Sequence, residues 1–475
     1  MKRQLIVPVL AMGVLAGCSL APPYQQPRTD PPPPAYTGDW HPAHPAELEP
    51  RGAWWQLFAD PELNSLEQQL PATNQNLAAA FARLEQARAE VRFVRSGYFP
   101  TVSAAAGASR ERTSVNSPQY SQSKPSTQNN LVLESDVSYE LDVFGRVRNS
   151  VAAARADAQA NAADVDALEL SLQAELAMDY FTLRNQDTRQ ALLDETVSAY
   201  ERALQLNQNL YDGGAAPLTD VAQARAQLET ARTQAEDIHL QRAQTEHAIA
   251  VLTGQSPSSF HIQPAALSPE VGPPAIAAGL PSTLLERRPD VAAAERRVAA
   301  ANASIGVARA AYFPNFSLTA ALGLESTSGA SLFQGPSRLW ALGPTALVTL
   351  FDGGKRRAQT DAARAAYDEQ AADYRQTVLT AFQEVEDSLA GLGHLQHEAT
   401  SESAAVEAAA MELDQARDRY SAGITTYLEV VIAENALLSS QLTAADIQAR
   451  RLNAGVLLAK ALGGGWDRQQ LTSGR

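Results

Sequence analysis

The sequence lacks most of the features by which soluble enzymes and nucleic-acid-binding proteins are recognised. Of its 475 residues only 6% are aromatic, cysteine occurs once, and 53 acidic residues outnumber 38 basic ones. The resulting net charge of −15 argues against a nucleic-acid partner, which would require a basic surface. Beyond the N-terminal region there is no run of 18 apolar residues, so no transmembrane helix is predicted there.

Catalytic and metal-binding patterns are also missing from the sequence. It has no Gly-x-Ser-x-Gly, His-Glu-x-x-His, phosphate-binding loop or cysteine pair, so neither an enzyme nor a cofactor is predicted. Two histidine pairs, His41 with His44 and His394 with His397, have a spacing that could serve a metal ion. Because neither pair has further ligands nearby in the sequence, we interpret them as linker and helix surface and predict no metal site.

The N-terminus resembles a bacterial lipoprotein signal. Two basic residues precede the apolar run from Leu5 to Leu15, which ends in Leu15-Ala16-Gly17-Cys18. The resemblance implies that residues 1–17 are removed and that Cys18 carries an S-diacylglycerol and an N-palmitoyl group, with no other cofactor. Ser19, where an aspartate would favour the inner membrane, favours the outer membrane. The alternative is an ordinary secretory signal followed by a free thiol.

A strand pattern changes directly into a helix pattern after residue 130. Apolar residues alternate with polar ones from Leu131 to Phe144, and after Gly145 the apolar residues recur every three or four positions. A helix from Arg146 to Leu210 would be roughly 100 Å long. The glycines and proline of residues 211–217 predict a tight tip, after which a return helix runs from Leu218 to about Leu252.

The second half of the chain repeats this arrangement. Residues 290–314 restate residues 76–100 with a shift of 214 positions, and strands, a long outgoing helix, a glycine-marked tip and a return helix follow in the same order. The predicted segments are an extended stretch at 18–60, repeat 1 at 61–265, a linker at 266–281, repeat 2 at 282–465 and a tail at 466–475. The predicted strands are 101–114, 130–144, 315–326 and 338–351, and the predicted tips are 211–217 and 420–427.

Four amphipathic strands are too few to close a barrel. Each is long enough to cross a bilayer, but open strand edges are not tolerated in lipid, so several copies would have to pool their strands. The predicted fold class is therefore mainly α with membrane β, with helical hairpins forming a periplasmic α-barrel. The alternative is a soluble β-layer carried on a coiled-coil stalk.

Three motifs resemble the outer membrane channel proteins of tripartite efflux systems, in their lipoprotein branch. They are Trp54-Trp55-Gln56-Leu57-Phe58-Ala59-Asp60-Pro61, Glu140-Leu141-Asp142-Val143-Phe144-Gly145-Arg146 and Leu280-Pro281-Ser282-Thr283-Leu284-Leu285-Glu286-Arg287-Arg288-Pro289-Asp290-Val291. The resemblance covers nearly the whole mature chain. It implies a homotrimer with a twelve-stranded barrel in outer membrane lipid that extends into the periplasm, where a periplasmic adaptor and an inner-membrane RND-type transporter bind.

The resemblance also implies a gate at the helix tips. Arg419 and Tyr420 match residues that hydrogen-bond to neighbouring helices in the closed state, and Leu428 matches a hydrophobic constriction. Ile432 stands where the family often has an aspartate, which puts a second, charged gate in doubt. The tips with Gly213, Gly214 and Gly423 would receive the adaptor. Four acids of the strand pattern would face the lumen and favour cations: Glu134, Asp136, Glu140 and Asp142.

Two other functions are compatible with the same features. One is the outer membrane duct of a type I secretion system, and the other is a structural envelope lipoprotein without a pore. The identity of the exported molecule depends on the pump and does not follow from this sequence.

Overall fold

A computed structural model describes residues 19–29, 36, 52–112, 114, 127–268, 271–276 and 287–466. The predicted signal peptide, Cys18, and residues 467–475 of the predicted tail lie outside these residues. The chain divides into two compact units. The first, which we call the sheet unit, comprises Met1–Arg28, Leu84–Asn161 and Ala294–Tyr374, and the second, the hairpin unit, comprises Thr29–Arg83, Ala162–Ala293 and Arg375–Arg475.

Helices account for most of the described residues, and the prediction of a mainly helical chain with a few strands is confirmed. The main elements, in chain order, are α1 (Pro61–Thr73), α2 (Gln75–Arg95), β1 (Thr101–Arg112), β2 (Thr127–Leu141), α3 (Arg146–Asp212), α4 (Leu218–Leu252), α5 (Pro289–Ala310), β3 (Asn315–Ser326), β4 (Arg338–Leu347), α6 (Lys355–Ser421) and α7 (Tyr427–Ala461). In the ranges that the structure describes, no helix combines the length and apolarity needed to cross a membrane.

Both long hairpins have the same dimensions. Helices α3 and α6 each have 67 residues, and α4 and α7 each have 35. All four helix ends of the first hairpin recur 209 positions later in the second, as the starts at Arg146 and Lys355 illustrate. We call α3 with α4 hairpin 1, and α6 with α7 hairpin 2.

The four strands of the sheet unit form one antiparallel sheet in the order β1-β2-β3-β4. β2 begins at Thr127, three residues before the predicted start, and ends at Leu141 instead of residue 144. It ends there because Asp142 caps the following helix, accepting hydrogen bonds from the backbone N–H groups of Val147 and Arg148 at 2.9 Å each.

β4 also departs from the prediction, ending at Leu347 instead of residue 351. The reason lies in its partner strand, β3, which begins at Asn315. Because Asn315 pairs with Leu347, β3 has no residue that could pair with residues 348–351. Val348 and Leu350 continue the apolar alternation but remain exposed.

The core of the hairpin unit contains the helical stripe predicted for α3, since Leu172, Leu176, Tyr180 and Leu183 are all buried. Two predicted boundaries need correction. The stretch predicted as extended up to residue 60 contains a short 3-10 helix at Trp54–Phe58, whose aromatic rings pack on one another and on Phe181. Trp466, predicted to begin the tail, is buried and donates from its indole Nε1 to Asp166 Oδ2 at 2.8 Å.

Candidate functional site at the helix tips

The two tips of the hairpin unit have the same backbone. In tip 1, which lies between α3 and α4, Gly213, Gly214 and Ala215 donate to the carbonyls of Asn209, Tyr211 and Leu210. In tip 2, between α6 and α7, the bonds recur 209 positions later, from Ala422, Gly423 and Ile424 to Asp418, Tyr420 and Arg419. Gly214 and Gly423 have φ angles of 73° and 71°, a left-handed conformation that favours glycine. Gly213 does not need to be glycine, because alanine occupies its counterpart position.

An exposed ion pair connects the two helices of hairpin 2 across tip 2. Arg419 Nη1 lies 3.2 Å from Glu429 Oε2, and both side chains are about half exposed. An ion pair this exposed contributes about 0–1 kcal/mol, because water screens it. Arg419, which the resemblance places in the gate, therefore bonds to the return helix of its own hairpin, but weakly.

A hydrogen bond from Tyr420 joins hairpin 2 to hairpin 1. The Tyr420 hydroxyl donates to Asn207 Oδ1 on α3 at 3.1 Å, and Asn207 Nδ2 donates to the Ala203 carbonyl at 2.9 Å. Asn207 is completely buried, so removing the hydroxyl would leave its amide oxygen without this partner at a cost of about 1–3 kcal/mol. This bond therefore outweighs the Arg419 pair. Sequence reasoning missed Asn207, because a polar residue within a helix gives no local sign of a partner on another helix.

Beneath these contacts lies a buried apolar layer, and beside it a second ion pair joins a half-exposed arginine to a buried glutamate. The Tyr427 ring packs against the Tyr420 ring at 5.5 Å and belongs to an apolar cluster with Ala224, Leu413, Ala416 and neighbouring side chains of α7. Nearby, Arg417 Nη2 donates to Glu434 Oε1 at 3.0 Å. Burial raises the pKa of Glu434 above its ordinary range, and the charge and hydrogen bond of Arg417 oppose that rise.

Leu428, the predicted constriction residue, lies on an exposed apolar stripe that runs from the tip 2 turn into the start of α7. Ile424, Leu428 and Ile432 follow one another at intervals of four residues and are all exposed. Ile424 belongs to the tip turn, but Leu428 and Ile432 both lie on α7, where a spacing of four places their side chains on the same helix face. Ile432 therefore continues the apolar surface where the resemblance leads one to expect an acid. The stripe has no charged member, which fits a hydrophobic constriction better than a charged one.

The four predicted lumen acids do not share one environment. Glu134 and Asp136 lie within β2. Glu140 accepts from Arg146 Nε at 2.7 Å, and Asp142 lies beyond the end of β2, where it accepts from Arg148 Nε at 3.1 Å in addition to capping α3. Two of the four carboxylates are therefore neutralised by arginine, and Asp142 is not a strand residue.

The segment that follows Cys18 is fixed to the sheet unit. Ser19 Oγ donates to Asn149 Oδ1 at 2.9 Å, and the Pro22 carbonyl accepts from Asn302 Nδ2 at 2.9 Å. Gly306 allows this approach, because a Cβ there would lie 2.7 Å from the Ala21 Cβ. The chain just after the predicted acylation site is thus held beside the first turn of α3.

A metal ion in a protein is held by several ligand side chains that lie close together. In the described ranges, no three His, Cys, Asp or Glu side chains are grouped closely enough to hold a metal ion.

Comparison with known proteins identifies the family. The model of the outer membrane efflux protein family matches residues 66–255 and 280–464. The chain is 34% identical to "Outer membrane protein OprJ" of Pseudomonas aeruginosa, over 95% of this chain and 94% of that protein. It is also 34% identical to "Probable efflux pump outer membrane protein SepC" of Pseudomonas putida, over 95% of each.

Solved structures agree with the sequence relatives. The outer-membrane channel OprN matches with a TM-score of 0.85 and 32% identity, covering 94% of this chain and all of that one. The CmeC outer membrane channel of Campylobacter jejuni matches with a TM-score of 0.86 and 25% identity, covering 95% and 96% of the two chains. The family is one of channels and not of enzymes. The chain belongs to the outer membrane efflux protein family and is an efflux protein of the outer membrane that extends into the periplasm.

Proposed function

We propose that the chain is the outer membrane channel of a tripartite RND-type efflux pump. It would act as a passive, gated duct for small molecules delivered by an inner-membrane transporter through a periplasmic adaptor. Relatives named as efflux pump outer membrane proteins support this proposal. In such a pump, selection of the exported molecule would belong to the transporter.

The observation that carries the proposal is the open four-stranded sheet. β1 is exposed along its whole length, and β4 carries the exposed apolar side chains Trp340, Leu342 and Leu347. Free strand edges with apolar faces are unstable in lipid unless further strands pair with them. Three copies would supply twelve strands and close a barrel, with the internal repeat of each copy providing six similar sectors around one pore.

Acylation of Cys18 would add a lipid anchor to this assembly. The contacts of Ser19 and Pro22 keep the neighbouring chain beside the start of α3, five residues after β2 ends. Diacylglyceryl and palmitoyl chains on Cys18 would then enter the bilayer close to the ends of the strands.

The gate would be formed by the two tips. In the closed state the Tyr420–Asn207 hydrogen bond and the Arg419–Glu429 pair hold tip 2, while copies of Leu428 meet around the axis and exclude water. Docking of the adaptor at Gly213, Gly214 and Gly423 would supply replacement contacts and favour the open state. Within the duct, Glu134 and Asp136 would favour cations more than Glu140 and Asp142, which arginines neutralise.

The gate can be tested by conductance in planar bilayers. Leu428→Ser should raise the resting conductance of the purified protein, because a hydroxyl ring no longer repels water. The matched control is Thr219→Ser, which changes the counterpart position in tip 1 and should leave conductance unchanged. Unaltered conductance in Leu428→Ser would remove Leu428 from the gate. A wild-type protein that gives no pore at all would instead support the structural lipoprotein.

The proposed efflux pump and the type I secretion alternative can be distinguished by the proteins that bind the channel. Tagged protein should co-purify with an RND-type transporter and its adaptor after cross-linking in cells. Recovery of the transporter of a type I secretion system in their place would contradict the proposed pump while leaving the channel intact.

A further inference from the structure

We propose that β4 of one copy pairs antiparallel with β1 of the next copy in one register, with Ala346 opposite Ala106, Val348 opposite Ala104 and Leu350 opposite Val102. The inference rests on the proposed function only in requiring that copies of the chain form a closed ring. It specifies which residues meet across the boundary between copies.

The register follows from the spacing of the two halves of the chain. β1 and β3 begin at Thr101 and Asn315, 214 positions apart. Within each strand pair, Thr101 lies opposite Ser138 and Asn315 lies opposite Leu347, so β2 and β4 are related by 209 positions. The same 209 relates the ends of the long helices that follow them. The two strand pairs therefore correspond residue by residue.

The observed contact between β2 and β3 is the template for the contact between copies. β2 ends the first strand pair and β3 begins the second, just as β4 ends one copy and β1 begins the next. In the template, Val137 lies opposite Ala320 and Leu141 opposite Phe316. Adding 209 to each β2 residue number gives the equivalent β4 residue, and subtracting 214 from each β3 number gives the equivalent β1 residue. The two pairs then become Ala346 with Ala106 and Leu350 with Val102.

The side-chain alternation gives an independent check on this register. Residues directly opposite in an antiparallel pair lie on the same face of the sheet, and a slip of one residue moves every side chain to the other face. In the proposed register the apolar residues Ala346, Val348 and Leu350 face apolar Ala106, Ala104 and Val102. A slip of one would place them opposite the face of β1 that carries Thr101, Ser103 and Gly107.

The same register explains why β4 is shorter than its pattern. Leu350 and Phe351 are each 89% exposed, and they lie beyond the start of β3. The proposed pairing continues to Phe351 opposite Thr101 of the next copy, so the neighbouring β1 supplies the partner that β3 lacks. The apolar alternation up to residue 351 then has a structural use.

Disulfide cross-linking between copies tests the register. A protein carrying Ala346→Cys and Ala106→Cys should form disulfide-linked dimers and trimers on mild oxidation in outer membranes. Directly opposite residues have Cβ atoms about 4.5–5.5 Å apart, near disulfide distance. Within one copy these two positions lie on the opposite edge strands, roughly 14 Å apart at 4.8 Å per strand, so an internal disulfide is excluded.

Two matched variants measure the register itself. Ala346→Cys combined with Ala104→Cys or with Ala108→Cys keeps the same face but shifts the partner by two residues, to about 7–8 Å. Both should cross-link several-fold less than the pair with Ala106→Cys. If either shifted variant cross-links best, or if oligomers form and no variant cross-links, the proposed register is wrong. If the uncross-linked wild type is monomeric in mild detergent, the ring of copies, and with it the proposed function, fails.

Discussion

The two tips of the hairpin unit share a backbone and differ in nearly every side chain that holds them. Their three backbone hydrogen bonds and their left-handed glycine recur at a spacing of 209 residues. At the first position of the return helix, however, Leu218 of tip 1 is 59% exposed and Tyr427 of tip 2 is 3% exposed. Arg419 and Glu429 have Leu210 and Asp220 as their counterparts, so the ion pair is confined to tip 2.

This difference shows that different residues determine the backbone turn of a tip and the contacts that hold the tip to neighbouring helices. The glycine and the 5→2 and 6→1 backbone bonds form either tip, whatever surrounds it. Tip 2 is attached through Tyr420, which donates a hydrogen bond to Asn207 of hairpin 1. The position of hairpin 2 that corresponds to Asn207 is Ala416, which has no acceptor in its side chain. Hairpin 1 therefore supplies the acceptor and hairpin 2 the donor, so release of tip 2 requires breaking a partly buried hydrogen bond.

The largest expected effect comes from the buried tyrosine that begins α7. Tyr427→Ala should destabilise the hairpin unit by about 3–5 kcal/mol, because it leaves a cavity in the cluster of Ala224, Leu413 and Ala416. Leu218→Ala at the exposed counterpart should cost less than about 0.5 kcal/mol. Chemical denaturation followed by circular dichroism in detergent measures both. Equal effects would mean that the tips are held alike.

A further variant separates volume from polarity at this position. The Tyr427 hydroxyl is buried and has no hydrogen-bond partner among the residues that the structure describes, so Tyr427→Phe should be neutral or slightly stabilising. A large loss in Tyr427→Phe would show that the hydroxyl, and not the ring, holds the tip.

The next effect concerns the bond between hairpins. Tyr420→Phe should cost about 1–3 kcal/mol by leaving the Asn207 oxygen without its donor, and it should raise resting conductance in bilayers. Tyr211→Phe removes the counterpart hydroxyl in tip 1, where the side chain is 40% exposed, and should change neither quantity. Unchanged conductance in Tyr420→Phe would show that this bond does not restrain the gate.

Much of this arrangement follows from the sequence, and the parts that do not are long-range contacts. Glycine at 214 and 423 and the apolar period of α3 are local signals, so the tips and the long helices could be located without a structure. The contact of Asn207 with Tyr420 could not, because it depends on which hairpins become neighbours. The Arg417–Glu434 pair could not, because it depends on which faces of α6 and α7 meet. The alternation places the end of β4 too late for a different reason: the apolar pattern continues past Leu347, but β3 begins at Asn315 and has no residue to pair with it.

A smaller effect tests the feature that both tips share. Gly214→Ala and Gly423→Ala should each cost about 1–2 kcal/mol, because alanine is strained at positive φ while the added Cβ meets open space. Gly213→Ala should be neutral, since its counterpart Ala422 already has that side chain. Hydrogen exchange at the start of α4 and α7 measures the local loss. If Gly214→Ala and Gly423→Ala lose different amounts of stability, the two tips do not tolerate the strained backbone equally.

The smallest effect is a pH dependence that only tip 2 should have. Glu434 is buried and burial raises its pKa, whereas the counterpart position in tip 1 is Arg225. The groups facing Glu434 are Arg417 from α6, Tyr200 from α3 and Tyr427 from α7. Because the folded state holds the proton more tightly than the unfolded state does, stability gains from Glu434 as the pH falls through its raised pKa. The gain levels off below the ordinary range of a glutamate.

The gain should be about 1.4 kcal/mol for each pKa unit that separates the two states. It is measured as the difference in unfolding free energy between wild type and Glu434→Gln across pH 7 to about 4, so that other titrating acids cancel. Glu429→Gln, which removes an exposed carboxylate from the same helix, is the matched control. If the wild type loses stability relative to Glu434→Gln on acidification, the Arg417 pair outweighs burial. Tip 2 would then be released by acid instead of being tightened by it.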